Sequence, residues 1–234
     1  MHGKFLILPI TSPIPHGSGL LPRSKVAKKR TLLHVVCVIM RIACASPPAC
    51  GTLGDLGVHT KLRDVIQKCR GGRDLELIEA SVSALWFLSF SAKNRSLAST
   101  AQIPELIVSL LQLADDTRLV FLKTQAVAVI WQLALQPDVK QSMLALQPSA
   151  ALVRVLYSES ASDPRFHQLC STTMWLLLSF LCSDDDAHLV QLRSSHGPNI
   201  VLEICLFAAR PEREKPVRVA GFWGLEKLTV RLRL

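Results

Sequence analysis

Four tryptophans divide the chain into segments of nearly equal length. Trp86, Trp131, Trp175 and Trp223 are separated by 45, 44 and 48 residues. An apolar residue precedes each of them and a leucine follows two positions later, in the segments ALWFL, VIWQL, TMWLL and GFWGL. Self-similarity at a fixed period of this length is typical of proteins built from stacked supersecondary units. The spacing therefore predicts a repeat protein in which each unit contributes one equivalent helix centred on its tryptophan.

A second set of equivalent positions lies upstream of each tryptophan. Apolar residues there recur at i, i+3 and i+4, a spacing that places them on one face of a helix. Three of these segments follow a proline, which is tolerated in the first turn of a helix. The triplets are Leu62, Val65 and Ile66; Ile107, Leu110 and Leu111; Leu152, Val155 and Leu156; and Leu202, Cys205 and Leu206, and the prolines are Pro104, Pro148 and Pro198.

Together the two sets predict an all-α chain with three helices in each unit of about 45 residues. Polar breaks separate the predicted helices, and about three to four units fit into residues 55–234. The predicted helices cover residues 58–69 and 75–90 in a partial first unit, 94–101, 104–114 and 118–135 in the next, 138–145, 148–158 and 165–181 in the third, and 184–193, 198–209 and a helix around Trp223 in the last.

One stretch, SALWFLSFSAKNRSLASTAQIPELIVSLL, resembles an armadillo repeat. The family pattern has an ALWNL segment in a third helix, an Asn-Arg pair after it, and Ile-Pro-x-Leu-Val-x-Leu-Leu at the start of the next second helix. The resemblance covers residues 55–234 and is closest over residues 84–111; the related HEAT repeats stay an alternative. It implies a right-handed α-solenoid whose third helices line a concave surface that binds extended peptides or partner domains. The expected function is thus a non-catalytic scaffold or adaptor.

The resemblance also indicates where a partner binds. Armadillo proteins of the nuclear-import adaptor type hold peptides with an Asn just after the ALW-type position and a Trp four residues before that Asn. This chain keeps neither residue, which disfavours import-type recognition. We predict partner contacts at Ser83, Phe87, Gln125, Gln132, Gln136 and Thr172, with solvated polar positions as the alternative interpretation. The four tryptophans are expected to be structural core residues of the repeats.

The basic charge is concentrated near the N-terminus. Residues 1–54 contain seven Lys or Arg and no acidic residue, so the remaining 180 residues hold 20 basic and 18 acidic groups, a net charge of +2. Six prolines and the lack of a repeat pattern predict a poorly ordered extension over residues 1–54. The run KVAKKR resembles a nuclear-localisation cluster, and organelle targeting is an alternative. A nucleic-acid-associated repeat protein is the alternative function, but it requires basic residues along the repeats.

The sequence contains no motif that supports catalysis or metal binding. It has no G-x-S-x-G, no phosphate-binding loop, no H-E-x-x-H and no CxxC. We therefore expect a non-enzyme without cofactor or metal. An odd number of irregularly spaced cysteines, seven, predicts free thiols in a reducing compartment, the cytoplasm or the nucleus. The ten uncharged residues 31–40 are too few to span a bilayer, which disfavours a membrane partner.

The last predicted helix has little sequence after it. Only 11 residues follow Trp223, so no further unit covers the outer face of that helix. Repeat arrays usually end in a polar capping unit. We expect Phe222, Leu225 and Leu228 to be partly exposed and to offer a pairing surface. The pattern is also that of a fragment or short isoform of a longer array.

Overall fold

A computed structural model describes residues 23–72, 74–113, 117–157, 166–181, 186–211, 213 and 215–231. These residues form thirteen α-helices and two short 3-10 helices, and no strand occurs among them. The predicted all-α class is confirmed for this part of the chain.

The helices follow one another in groups of three. A helix α1 (Arg23–Ala45) precedes the first group, which contains α2 (Pro47–Asp55), α3 (Val58–Gly72) and α4 (Leu75–Leu88). The second group contains α5 (Ala92–Thr100), α6 (Ile103–Leu111), the 3-10 helix Thr117–Leu119 and α7 (Val120–Ala134). The third contains α8 (Pro137–Ser142), the 3-10 helix Met143–Leu146, α9 (Pro148–Tyr157) and α10 (His167–Leu181). The fourth contains α11 (Ala187–His196), α12 (Ile200–Ala208) and α13 (Lys215–Arg231).

The second helices form for the reason that the sequence indicates. In α6 a proline occupies the first turn, where its missing N–H costs nothing, and the apolar triplet that follows is buried. Ile107, Leu110 and Leu111 are each at most 3% exposed. The equivalent residues of α9 are buried as well. In α12 the predicted triplet is wrong, because Leu202 and Leu206 are 45% and 53% exposed and only Cys205 is buried. The buried side of α12 is formed instead by Ile200, Val201, Ile204, Cys205 and Ala208. Each second helix packs its apolar face on the third helix of its own group, as α6 does on α7 and α12 on α13.

Helix α1 and the third helix of each group pack side by side in chain order. Helix α4 contacts α1 and α7, α7 also contacts α10, and α10 contacts α13. We call α1, α4, α7, α10 and α13 the long-helix row. Its core side chains are aliphatic and fully buried, as at Leu88, Ile130 and Leu177.

A left-handed backbone residue recurs between the first and second helix of every group. The four residues are Gly57, Gln102, Gln147 and Gly197, with φ of 69°, 57°, 52° and 97°, and they are separated by 45, 45 and 50 residues. This conformation reverses the chain direction sharply and suits glycine, whereas a residue with a Cβ is strained in it by about 1 kcal/mol. A positive φ is thus kept at this place in all four groups, whereas ψ is 32° and 50° at Gln102 and Gln147 but 163° at Gly197.

The Asn-Arg pair after the first tryptophan closes the end of α4. The Asn94 side-chain amide is fully buried, and its nitrogen donates to the carbonyl oxygens of Cys50 in α2, at 2.8 Å, and of Leu88, at 3.0 Å. The Arg95 guanidinium donates to the carbonyl oxygen of Ser89 at 3.2 Å. These donors satisfy carbonyls that the end of a helix leaves without partners. Asn94 also joins the first group of helices to the second.

The prediction of a poorly ordered extension over residues 1–54 is corrected where the structure describes it. Residues 23–54 form α1 and most of α2, and α1 packs along α4. Val36 is 3% exposed there, and the Lys29 ammonium lies 2.9 Å from an Asp74 carboxylate oxygen and 3.0 Å from one of Glu76. The physical reason is that α4 has an apolar side that α7 does not cover, and α1 buries it. Residues 1–22 lie outside the described residues.

Candidate partner-binding surface

The four tryptophans lie at equivalent places on α4, α7, α10 and α13. Each is half-buried and packs against the hydrophobic core with part of its ring system accessible. Trp175 and Trp223, which are 48 residues apart in sequence, face each other across α10 and α13 with ring centroids 5.8 Å apart. The tryptophans therefore lie at the boundary between the core and one accessible side of the long-helix row.

The six residues that we predicted as partner contacts are all half-buried. Ser83 and Phe87 are one turn apart on α4, and Gln125 and Gln132 are two turns apart on α7, the neighbouring helix. Thr172 lies on α10, and its hydroxyl donates to the Gln168 carbonyl of its own helix at 2.9 Å. Gln136 lies beyond the end of α7, at the N-cap of α8. Five of the six thus lie on three adjacent helices of the row.

The positions just after the tryptophans are not equivalent in exposure. Phe87 and Gln132 are half-buried, whereas Leu176 and Gly224 are buried. A Cβ at Gly224 would lie 2.6 Å from the Cys205 sulfur, so this position of α13 packs directly against α12. The position just after the tryptophan is therefore accessible in the first two groups and covered in the last two.

Sequence reasoning missed three large exposed apolar residues, one just after α4 and two at the ends of α7. Phe90, Phe121 and Leu135 are 52%, 50% and 56% exposed. Phe121 falls at i−4 from Gln125 and Leu135 at i+3 from Gln132, so extending the stripe along α7 by helical spacing would have found both. Phe90 joins Trp86 and Phe87 in a cluster with ring centroids 5.0 to 6.3 Å apart. We define the third-helix surface as Ser83, Phe87, Phe90, Phe121, Gln125, Gln132, Leu135 and Thr172.

The third-helix surface carries almost no charge. Helix α10 contains no Lys, Arg, Asp or Glu, and the one charged residue of α7, Lys123, is buried. At the start of α4, burial and, to a smaller extent, repulsion from Glu76 raise the pKa of Glu79 to about 7. The amide oxygen Oε1 of Gln125 is buried without a hydrogen-bond partner. The surface therefore suits an uncharged, partly apolar segment of a partner.

Among the described residues, His59 and Cys170 are titratable groups that lie in buried surroundings. No group of three His, Cys, Asp or Glu in them lies close enough together to hold a metal ion. His59 is buried in α3, where loss of solvent lowers its pKa to about 4, and neither ring nitrogen has a hydrogen-bond partner. Burial raises the pKa of the Cys170 thiol as well, which disfavours the reactive thiolate. Among the helices described here, none is long and apolar enough to cross a membrane.

Exposed apolar residues also occur at the last group of helices. Val219 and Phe222 of α13 are 48% and 58% exposed, which confirms the expected exposure of Phe222. Leu225 is half-buried, and the side chain of Leu228 lies outside the described residues.

The chain was compared with protein-family models, with curated proteins and with solved structures, and it matches none of them.

Proposed function

We propose that the chain is a non-catalytic protein-interaction scaffold, a right-handed α-solenoid of armadillo-like three-helix repeats that binds a protein partner on its third-helix surface. The observation that carries this proposal is the exposure of Phe90 and Leu135, which are 45 residues apart and lie just after the neighbouring helices α4 and α7, together with that of Phe121 at the start of α7. Exposed apolar patches on folded proteins mark interaction sites. Aromatic residues are also the type most enriched where binding energy concentrates.

The repeated architecture is supported by three independent regularities. The tryptophans recur at 44 to 48 residues, and both the apolar triplets of the second helices and the junction residues with positive φ recur at 45 to 50 residues. The triplets are buried in α6 and α9. Each long helix also packs against the long helix of the next group. A stack of this kind turns one small surface per unit into an extended one. The uncharged character of that surface favours a peptide or partner domain that contributes apolar side chains.

The nucleic-acid alternative finds little support on the same surface. Binding to phosphates needs exposed Lys or Arg, and each neutralised phosphate adds to the salt dependence of affinity. Lys123 is the one Lys or Arg in the described helices α4, α7 and α10, and its side chain is 2% exposed. Binding of the chain to DNA or RNA that weakens steeply between 50 and 200 mM salt, about the range in which phosphate contacts are lost, would support this alternative.

Affinity capture from a cell extract with the full chain tests the proposal. The variant carries Phe90→Glu and Phe121→Glu, which place two charges on the third-helix surface. The matched control is Val190→Glu, at a valine on α11 that is 59% exposed and lies away from that surface. We expect a protein that binds the parent and the control chain to be lost from the variant, and its purified form to bind at least tenfold more weakly to the variant. Equal capture by all three chains would contradict the proposal.

Folding of the variants is checked separately. Both phenylalanines are half-exposed or more, so the double substitution should leave the far-UV circular dichroism spectrum of the chain unchanged. A loss of binding counts only when that spectrum and the melting temperature match those of the Val190→Glu control.

A further inference from the structure

Helix α1 has an apolar face that no described helix covers. It packs against α4 and α2 on one side, where Val36 and Ala43 are buried. On another side it exposes aliphatic residues that we call the outward stripe: Val35, Val38 and Ile42, which are 48%, 39% and 39% exposed. Their spacings of three and four residues align these side chains along the helix. Leu32, which is 43% exposed, lies one turn before Val36 on the side that packs against α4.

Basic residues flank the outward stripe. Lys28 lies two turns before Val35, and Arg41 lies one turn after Val38, and both side chains are exposed. Arg30 and His34 are exposed on the adjoining side of α1. None of these four residues forms an ion pair with another described residue. The stripe is thus an aliphatic surface with a positive border.

The covered face of α1 packs against α4 through both apolar and charged residues. Val36 and Ala43 meet the apolar side of α4, while Lys29 pairs with Asp74 and Glu76 at the start of α4. Burial by itself would lower the pKa of Lys29, but the hydrogen bonds and charges of the two carboxylates raise it overall. The partner of α1 on its covered side is therefore a helix that combines an aliphatic stripe with carboxylates.

We propose that the outward stripe of α1 docks an acidic amphipathic helix of a protein partner. The occupant has apolar residues spaced by three and four positions and Asp or Glu beside them, so that it continues the side-by-side packing of the long-helix row. Recognition of an amphipathic helix by an apolar surface is a common mode of protein binding. The carboxylates of the occupant face Lys28 and Arg41 and speed the encounter.

Two other occupants fit the chemistry less well. In a second copy of the chain, α13 offers exposed apolar residues, but Lys215–Arg231 contains four basic residues and one acidic residue, a net charge of +3, which repels the border of the stripe. An anionic membrane surface matches the charge, but the stripe lacks the Trp and Tyr that are enriched at membrane interfaces. A helix also matches the length and straightness of the stripe better than a lipid surface does.

Fluorescence anisotropy with two synthetic helical peptides tests the proposal on the full chain. Both peptides carry the same leucine stripe; one has Glu and the other Lys at the flanking positions. We expect the Glu peptide to bind saturably and at least tenfold more tightly than the Lys peptide, because each flanking charge changes sign. Val35→Glu should weaken binding of the Glu peptide at least tenfold, and the matched control Val190→Glu should not. Exchange of Lys28 and Arg41 for Glu should reverse the preference between the peptides.

Several results would overturn the proposal. Equal affinity for the two peptides, absence of binding by either, or an unchanged affinity of Val35→Glu would each do so. Binding to phosphatidylcholine vesicles that contain phosphatidylserine, lost in Val35→Glu while no peptide binds, would assign the stripe to a membrane. Self-association in sedimentation that Val35→Glu abolishes would assign it to a second copy. Because the Phe90 and Phe121 variants leave α1 unaltered, these outcomes are separable from failure of the proposed function.

Discussion

Helix α7 and helix α1 belong to the same row but differ in how many neighbours they have. Helix α7 lies between α4 and α10, and residues on most of its circumference are buried, including Leu122, Val127 and Ile130. Helix α1 contacts α4 alone within the row, and its exposed valines resemble in chemistry those that α7 buries. The composition of a helix therefore does not fix its burial in this fold; the number of flanking helices does.

Helix α13, at the other end of the row, shows the same effect with tighter packing. A Cβ at Gly221 would lie 2.8 Å from the Ala209 backbone nitrogen, so glycine lets α13 approach α12 closely. On its other side Val219 and Phe222 are exposed. Helices α1 and α13 are thus each covered by described helices on one side and exposed on the other, and both carry a net positive charge.

The largest expected effect on stability distinguishes the covered side of α1 from its exposed side. Val36→Asp places a charge against α4 at a site that is 3% exposed, and we expect it to lower the free energy of unfolding by about 3 kcal/mol or more. Val35→Asp, one residue earlier and 48% exposed, should change it by less than about 0.5 kcal/mol. Urea denaturation followed by circular dichroism measures both. Equal, small effects would mean that α1 does not pack on α4.

A second pair of substitutions compares a helix in the middle of the long-helix row with a helix at its end. Ile130→Ala in α7 removes a fully buried side chain and should lower the free energy of unfolding by about 3 kcal/mol. Val219→Ala in α13 removes an exposed one and should lower it by less than about 0.5 kcal/mol. The same denaturation experiment applies. A cost for Val219→Ala close to that of Ile130→Ala would show that the outer face of α13 is covered.

A substitution at a left-handed junction residue is expected to raise the free energy of unfolding, whereas the substitutions above lower it. Gln102→Gly should raise the free energy of unfolding by about 0.5–1 kcal/mol, because glycine adopts φ of 57° without Cβ strain. The control Gln168→Gly, at an exposed site within α10, should lower it by about 1 kcal/mol. Thermal or chemical denaturation distinguishes the two. Destabilisation by both substitutions would argue against a left-handed residue at position 102.

A further expected effect on stability depends on pH. The pKa of Glu79 is raised from 4.5 to about 7, so the folded chain keeps a proton that the unfolded chain has lost, and this residue makes stability fall as pH rises from about 4.5 to 7. Glu79→Gln should therefore be more stable than the parent at pH 8 and equal to it near pH 4. The pKa of His59 is lowered to about 4, so this residue makes stability rise as pH rises from about 4 to 6.5. Because His59 is present in both the parent and the Glu79→Gln chain, the difference in stability between the two chains reports on Glu79 alone. A constant difference at all pH values would contradict this account.

Much of the helix pattern was predictable from local sequence signals. Helix α9 was predicted over residues 148–158 and is found at Pro148–Tyr157, because a first-turn proline and an apolar triplet are short-range features. Helix α1 was missed, since nothing local distinguishes it from an extension and only its contact with α4 explains its burial. The glutamine junctions were missed because glutamine carries no turn signal, although Gly57 and Gly197 lie at the same place in their groups.

The candidate site was predictable only in outline. Placing Gln125 and Gln132 on one stripe needed helical spacing alone, whereas the burial of Leu176 and Gly224 depends on how closely α12 and α13 approach. The tryptophans illustrate the same limit: their period follows from the sequence, but their half-burial depends on neighbouring helices. Trp131→Ala is accordingly expected to cost about 1–3 kcal/mol, below the 3–5 kcal/mol of a fully buried tryptophan.

Native-state hydrogen exchange of the full chain tests most directly whether neighbours set the stability of each helix. Stacked units open from their ends, so amides of α4 and α7 should be the most protected, and those of α1 and α13 should exchange through openings of lower free energy. Protection that is uniform across the long-helix row, or greatest in α13, would contradict the account.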